Sequence, residues 1–233
     1  MRVNKWGVGF VLVATALLSG CSASGSDTGP DGEAGTGTTG ADASQTNCPT
    51  LEEGATVAGE ILGTCITDAM EDTAGFAISM STFGMESSSR YNPADLASET
   101  TTSFGSIIII DDQTWVKPPT GEWQVADSSS ADQDVLALSS AAESIEPADP
   151  LGVAGALSGD FTVTGTDSRL GEEVFLVEGV TTSGDVSVSM VFELTSDFVA
   201  LAASASTEVE GQKLEAVQEV TEWDVKQDIV APL

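Results

Sequence analysis

Val186-Ser187-Val188-Ser189-Met190-Val191-Phe192-Glu193-Leu194 decides the fold class. Val186, Val188, Met190, Phe192 and Leu194 fall on one side of an extended chain, with Ser187, Ser189 and Glu193 opposite. Period two is the repeat of a β-strand with one face in a core and one in water, the habit of antiparallel sheets. The same reading extends outward in both directions. Phe198 to Ser206 and Lys213 to Trp223 form two further strands that pair across Gly211. Upstream, Phe161 and Val163 alternate with threonines, and Val174 to Val177 is another strand. Phe76, Ile78 and Met80 alternate with Ala77, Ser79 and Ser81. Ser106 to Ile110 is a β-branched run that ends in a turn at Asp111-Asp112. Thr114–Lys117 and Glu122–Val125 flank Pro118-Pro119-Thr120-Gly121 as a hairpin. Two regions break the rhythm. Val57 to Met70 reads as a helix. Residues 131–157 place Val135, Leu136, Leu138, Ala141, Ala142 and Ile145 at helical spacing; after Pro147 and Pro150, Leu151 to Leu157 is expected to form a second short helix. Runs of strands with segregated helices give an α+β fold, met by one large curved antiparallel sheet with helices on one face.

The N-terminus speaks to location. Arg2 and Lys5 precede an apolar run from Trp6 to Leu18, the pattern of a secretory signal peptide and too short for a membrane span. Leu18-Ser19-Gly20-Cys21 resembles a bacterial lipobox. In such signals the cysteine thiol takes a diacylglycerol, with chains such as palmitate, and cleavage makes the cysteine residue one. The alternative is an ordinary signal peptide with an accidental cysteine. A single acyl chain holds only weakly, at ~0.8 kcal/mol per buried CH2, but two hold durably. The expected division is therefore a signal peptide at 1–20, lipidated Cys21 with a disordered Gly/Ser/Thr tether to residue 47, and one domain over 48–233. No later segment offers 18 uninterrupted apolar residues. The tether has no large apolar side chain to offset ordering, and its reach is roughly 25–30 Å. Gly35-Thr36-Gly37-Thr38-Thr39-Gly40 matches the dinucleotide fingerprint in letters, but no strand precedes it and no helix follows.

Charge and cysteine usage narrow the function. The chain carries 37 acids and 7 bases, a net charge of −30; cleavage after residue 20 takes Arg2 and Lys5 but no acid, leaving −32. Such a surface repels nucleic acid and anionic headgroups. Solubility or salt tolerance explains the acidity better than a specific acidic site. Outside the cytoplasm, Cys48 and Cys65 are expected to form a disulfide, worth roughly 3 kcal/mol for a loop of ~15 residues. Two buried free thiols are the alternative.

Chemistry is poorly supplied. There is no histidine, so the usual general base, the triads and the zinc ligand sets are missing. Neither S-x-x-K, G-x-S-x-G nor a phosphate loop occurs. Asp111-Asp112 lacks the alternation and central glycine of a calcium loop. The reading is of a non-enzyme with no metal and no cofactor. Binding remains. The candidate lining of an apolar pocket is Phe76, Ile78, Met80, Phe161, Val163, Val188, Met190 and Phe192, with methionine suited to variable acyl chains. The same residues would equally build a solid core. Trp115 and Trp123 are expected to pack across their hairpin, and Arg90 and Arg169 to form local ion pairs.

The order of features resembles a known family. A lipobox and polar tether are followed by a helix, a first strand at Gly75 to Ser81, and Ile107-Ile108-Ile109-Ile110-Asp111-Asp112-Gln113-Thr114-Trp115-Val116 with a lone Trp123 beyond. A mid-chain helical block, further strands and the tail Trp223-Asp224-Val225-Lys226-Gln227-Asp228-Ile229-Val230-Ala231-Pro232 complete the pattern. Over roughly 55–233 this is similar to the mycobacterial and actinobacterial lipoproteins of the LppX/LprG type, with a LolA-like fold. The resemblance implies a half-open β-barrel with helices across its concave face. It also implies a hydrophobic ligand in the cavity, and in some members the movement of lipids or lipoglycans across the envelope. The acidic, lysine-poor composition suits an actinobacterial envelope protein. The Cys48–Cys65 pair has no counterpart to map in that family.

The expectation is a monomeric lipoprotein on the extracytoplasmic face of the cell membrane. Its partners are the membrane, through the N-terminal lipid anchor, and a lipid or glycolipid ligand, with the protein partner undetermined. The alternative is an acidic envelope interaction lipoprotein with a solid core and no ligand.

Overall fold

A computed structural model describes residues 48–145, 155–183, 186–209 and 211–232. The signal peptide, the lipobox and the tether lie outside the described residues, as do positions 151–154 of the second mid-chain helix.

The elements run β1 (Thr56–Ala58), α1 (Gly59–Glu71), β2 (Phe76–Thr82), β3 (Met85–Asn92), a 3-10 turn (Pro93–Asp95), β4 (Ala97–Thr102), β5 (Gly105–Ile110), β6 (Gln113–Lys117) and β7 (Gln124–Val125). After α2 (Gln133–Ala142) come β8 (Asp160–Arg169), β9 (Glu172–Ser183), β10 (Val186–Leu194), β11 (Ala200–Val209) and β12 (Gln212–Trp223). All twelve strands join one sheet in the order β1-β8-β9-β10-β11-β12-β2-β3-β4-β5-β6-β7. Every neighbouring pair is antiparallel, and β1 and β7 stand at opposite edges, so the sheet is curved but not closed. Register shifts between Val163 and Gly165, Glu193 and Leu194, and Val220 and Glu222 mark bulges, which bend strands and raise local twist. The α+β class, with a large curved antiparallel sheet and helices on one face, is as expected.

Local chemistry explains the elements. Leu62, Cys65, Ile66 and Met70 recur at helical spacing along one face of α1, and all four are buried. The start of α2 is capped by Asp132, whose carboxylate accepts from the backbone N–H of Asp134 at 2.9 Å and of Val135 at 3.4 Å. Phe83-Gly84 turns β2 into β3 with φ of +53° and +78°, and Leu170-Gly171 turns β8 into β9 with +53° and +87°. Both central residues of such a tight hairpin turn need positive φ, and glycine carries one of the two without strain.

Three particulars differ from the sequence reading. Val57 belongs to a short strand, pairing with Phe161, and the helix begins only at Gly59. Of the expected helix at 151–157, the described part, Gly155 to Leu157, is a turn leading into β8. Strands β3 and β4, Met85–Asn92 and Ala97–Thr102, carry no apolar alternation and were not legible as strands.

Register places both helices on the same face of the sheet. Cross-strand partners share a face. One row runs Val220, Ile78, Ser89, Thr100, Ile107, Val116. Its first two members are in the core cluster that includes α1, and its last two are in a separate cluster with Val135, Leu138 and Ala142 of α2. Cys48 and Cys65 form the expected disulfide, with Cα atoms 5.8 Å apart, so the chain ahead of β1 is fastened to the buried face of α1. The C-terminal tail is held by Asn92, which donates to the Gln227 carbonyl at 2.9 Å and accepts from the Gln227 N–H at 2.8 Å.

Candidate functional site

The eight pocket candidates come from β2, β8 and β10, and the register brings them to one face. Phe161 and Phe192 approach with ring centroids 6.0 Å apart. Phe76, Ile78, Phe161, Val163, Val188, Met190 and Phe192 are all buried in the cluster that Leu62, Cys65, Ile66 and Met70 of α1 also enter. Met80 differs: it is half-buried at the margin of that cluster.

Beyond Met80 the inner face changes character. One row continues Phe192, Ala203, Gln218, Met80, Ser87, Thr102; the next continues Met190, Ala205, Ala216, Thr82. From Ala203 and Ala205 onward, every one of these side chains is half-buried. The main helix packing lies elsewhere, α1 against β1 and β8 and α2 against β5 and β6. Mostly small and hydroxyl-bearing side chains, with Gln218 and Met80 among them, therefore form a half-buried strip between two apolar clusters.

At the deep margin of this strip lies a hydroxyl group cluster. Ser89 Oγ and Thr100 Oγ1 are 2.9 Å apart, and Ser98 is buried beside them on the same face. Tyr91 stacks on Phe76 at 5.1 Å, and its phenol is held above the usual tyrosine pKa by burial, which outweighs the hydrogen bonds with Ser89 and Thr100. A raised folded-state pKa favours the neutral form. The stability it carries is complete below the unfolded value and is lost as pH rises through the folded one. Tyr91 is the chain's one tyrosine. Phenolate absorbance on alkaline titration is expected to stay silent past the normal tyrosine range and to appear together with unfolding. Ionisation at an ordinary pKa in the folded protein would show that the phenol reaches water.

Two cavities are lined by other residues, although the larger borders the core where Trp223 packs on Phe76, ring centroids 5.6 Å apart. The larger, about 580 Å3, has apolar walls from Leu170, Phe175, Val199, Leu201 and Trp223 and carboxylates from Glu172, Glu173, Asp197 and Glu222. It opens where β8 turns into β9 and β10 into β11. The smaller, about 280 Å3, lies between the turn after β5 and α2 and includes Asp112, Ser139 and Glu143. None of the eight sequence candidates lines either cavity. The larger one was missed because its residues come from turns and strand ends, where no periodicity marks them.

Both arginine candidates form local ion pairs, as expected. Arg90 pairs with Glu99 across β3 and β4. Arg169 makes a forked contact with Glu193, at 2.6 and 3.0 Å, and reaches Glu219 at 3.0 Å. These partners raise its guanidinium pKa further still, the Glu193 hydrogen bond foremost. Trp123 lies under the Lys117 ammonium, 6.0 Å from the ring centroid, across the β6–β7 hairpin. Asp111 is the left-handed residue of a turn, at φ +51°. Among the described residues no group of three or more metal-ligating side chains converges, and no helix is long and apolar enough to cross a membrane.

No family model matches the chain, and no curated protein matches it in sequence. Solved structures do match. The lipoprotein LppX of Mycobacterium tuberculosis is similar over 74% of this chain and 98% of its own, at 11% identity and a TM-score of 0.49. LprF from Mycobacterium bovis is similar over 75% and 96%, at 9% identity and a TM-score of 0.47. An uncharacterised conserved protein from Thermus thermophilus is similar over 68% and 83%, at 10% identity and a TM-score of 0.38.

Proposed function

We propose that this chain is a non-enzymatic lipoprotein that holds a hydrophobic ligand, a lipid or glycolipid, against the inner face of its sheet. The observation that carries this reading is the half-buried strip of Ala203, Ala205, Ala216, Met80, Thr82 and Ser87 beside a continuous apolar core. Small side chains there leave room for acyl chains, and Met80 adapts to them. Phe76, Ile78, Phe161, Val163, Val188, Met190 and Phe192 form the apolar wall against which such chains would end. The Cys21 anchor and its tether keep this one domain, residues 48–233, at the extracytoplasmic face of the membrane as a monomer. The absence of any histidine supports binding over catalysis.

Native mass spectrometry tests the reading on the chain from Ser22 onward, purified without detergent from a host with an envelope. The expected result is adducts of lipid mass, lost on organic extraction and restored by added lipid. Ala205→Trp combined with Ala216→Trp should fill the strip and reduce adduct occupancy at least tenfold, with the fold retained. A clean mass that no lipid shifts would overturn the proposal. It would favour a second reading, an acidic interaction lipoprotein with a solid core, which the burial of seven of the eight candidates supports. That reading predicts a protein partner whose binding weakens with salt.

A further inference from the structure

The larger cavity is chemically distinct from the strip. Glu172, Glu173, Asp197 and Glu222 surround it, and among the described residues none of the four is in an ion pair. The five basic side chains of residues 48–233 are all engaged elsewhere. Arg90 pairs with Glu99, Arg169 with Glu193 and Glu219, Lys213 with Glu215 and Lys226 with Asp95, while Lys117 lies over Trp123. Among the described residues no basic side chain is therefore supplied to neutralise the cavity. Thr195, Ser196 and Thr221 share its lining with Leu170, Leu201 and three side chains, Phe175, Val199 and Trp223, that form the partly buried rim of the main core.

Four like charges around one concavity make its potential negative. The apolar side chains of the lining reward the desolvation of a hydrocarbon body. An inorganic cation would use only the rim, and a neutral apolar molecule only the walls. A volume of about 580 Å3 is within the range of small-molecule sites. We propose that this cavity binds an amphipathic cation, an ammonium group carried on an apolar body. The site lies at the end of the sheet that carries the β8–β9 and β10–β11 turns, away from the Ala205, Ala216 and Thr82 row, so it does not rest on the function proposed above.

Calorimetric titration of the chain from Ser22 onward with octyltrimethylammonium, below its micellar concentration, tests the site. One saturable site per chain is expected, with tetramethylammonium and octyl glucoside each binding at least tenfold more weakly. Glu173→Gln with Glu222→Gln should weaken binding at least tenfold. Glu52→Gln with Glu86→Gln, an equal change of charge at exposed positions outside the cavity, should leave it unchanged. All four positions are exposed, and an unchanged near-ultraviolet dichroism spectrum confirms that each variant keeps its fold. Absence of saturation, equal weakening by the two pairs, or equal binding of octyl glucoside would overturn the proposal.

Discussion

Phe161→Ala is expected to remove about 3–5 kcal/mol of stability, the range for truncating a buried phenylalanine, and so a large share of the roughly 5–15 kcal/mol typical of a native domain. Phe161 is fully buried at the point where β1, β8 and β9 meet, opposite Val57 on one side and Gly179 on the other. Its ring lies against Gly179 so closely that an alanine Cβ there would stand 2.5 Å from Cδ1. Two consequences can be separated by urea unfolding. Phe161→Ala leaves a void beside Phe192. Gly179→Ala overpacks the same spot and should cost about 1–3 kcal/mol. Combining Gly179→Ala with Phe161→Leu should cost less than the sum of the two single changes, because the smaller side chain yields the space the methyl group needs. Strict additivity would mean that the ring and the glycine do not share that space.

Loss of the Cys48–Cys65 disulfide is the second large effect. The bridge closes a separation of 17 residues and ends on Cys65, a buried residue of α1. Opening a loop of that size costs roughly 3 kcal/mol in the chain-entropy model. For a protein of this size each kcal/mol moves the melting temperature by about 2–4 °C, so Cys48→Ala with Cys65→Ala should melt roughly 6–12 °C lower. Reduction of the native protein should reproduce that shift, and adding reductant to the double variant should change nothing further. A double variant as stable as the parent would show that packing of Leu51 and β1 alone secures this edge. The effect bears on function as well as stability, because the bridge fixes where the chain leading from Cys21 joins the fold.

Much of the fold was legible because burial writes itself into sequence. In β10, the face toward the core is Val188, Met190, Phe192 and Leu194, and the solvated face is Ser187, Ser189 and Glu193. The strand and its inward face follow from that alternation, and the pairing of β11 with β12 follows from the glycine turn at Gly211. The helix α2 announced itself the same way, through the spacing of Val135, Leu138 and Ala142, its packed face, while its cap at Asp132 came only from the structure. Strands β3 and β4 did not. Apart from Tyr91, their inner residues are Ser87, Ser89, Ser98, Thr100 and Thr102, which meet neighbouring strands and one another rather than a helix. Without an apolar face there is no alternation to read, and backbone pairing between β2 and β5 alone makes them strands. Val57 was misassigned for a related reason: a three-residue edge strand joined directly to α1 has no period of its own.

The candidate site divides along the same line. Composition and spacing by themselves determined the lipobox reading, the acidic charge, the lack of histidine chemistry, the pairing of two cysteines and the set of apolar residues that share a face. These are local or additive properties of a chain. Tertiary structure alone decided that seven of the eight candidates are enclosed with α1 while Met80 faces a strip of small side chains, and that four carboxylates from β9, the β10–β11 turn and β12 surround one cavity. Glu172 and Glu222 are fifty residues apart in the chain, and only the strand order β9-β10-β11-β12, with its bulges, brings such positions to one place.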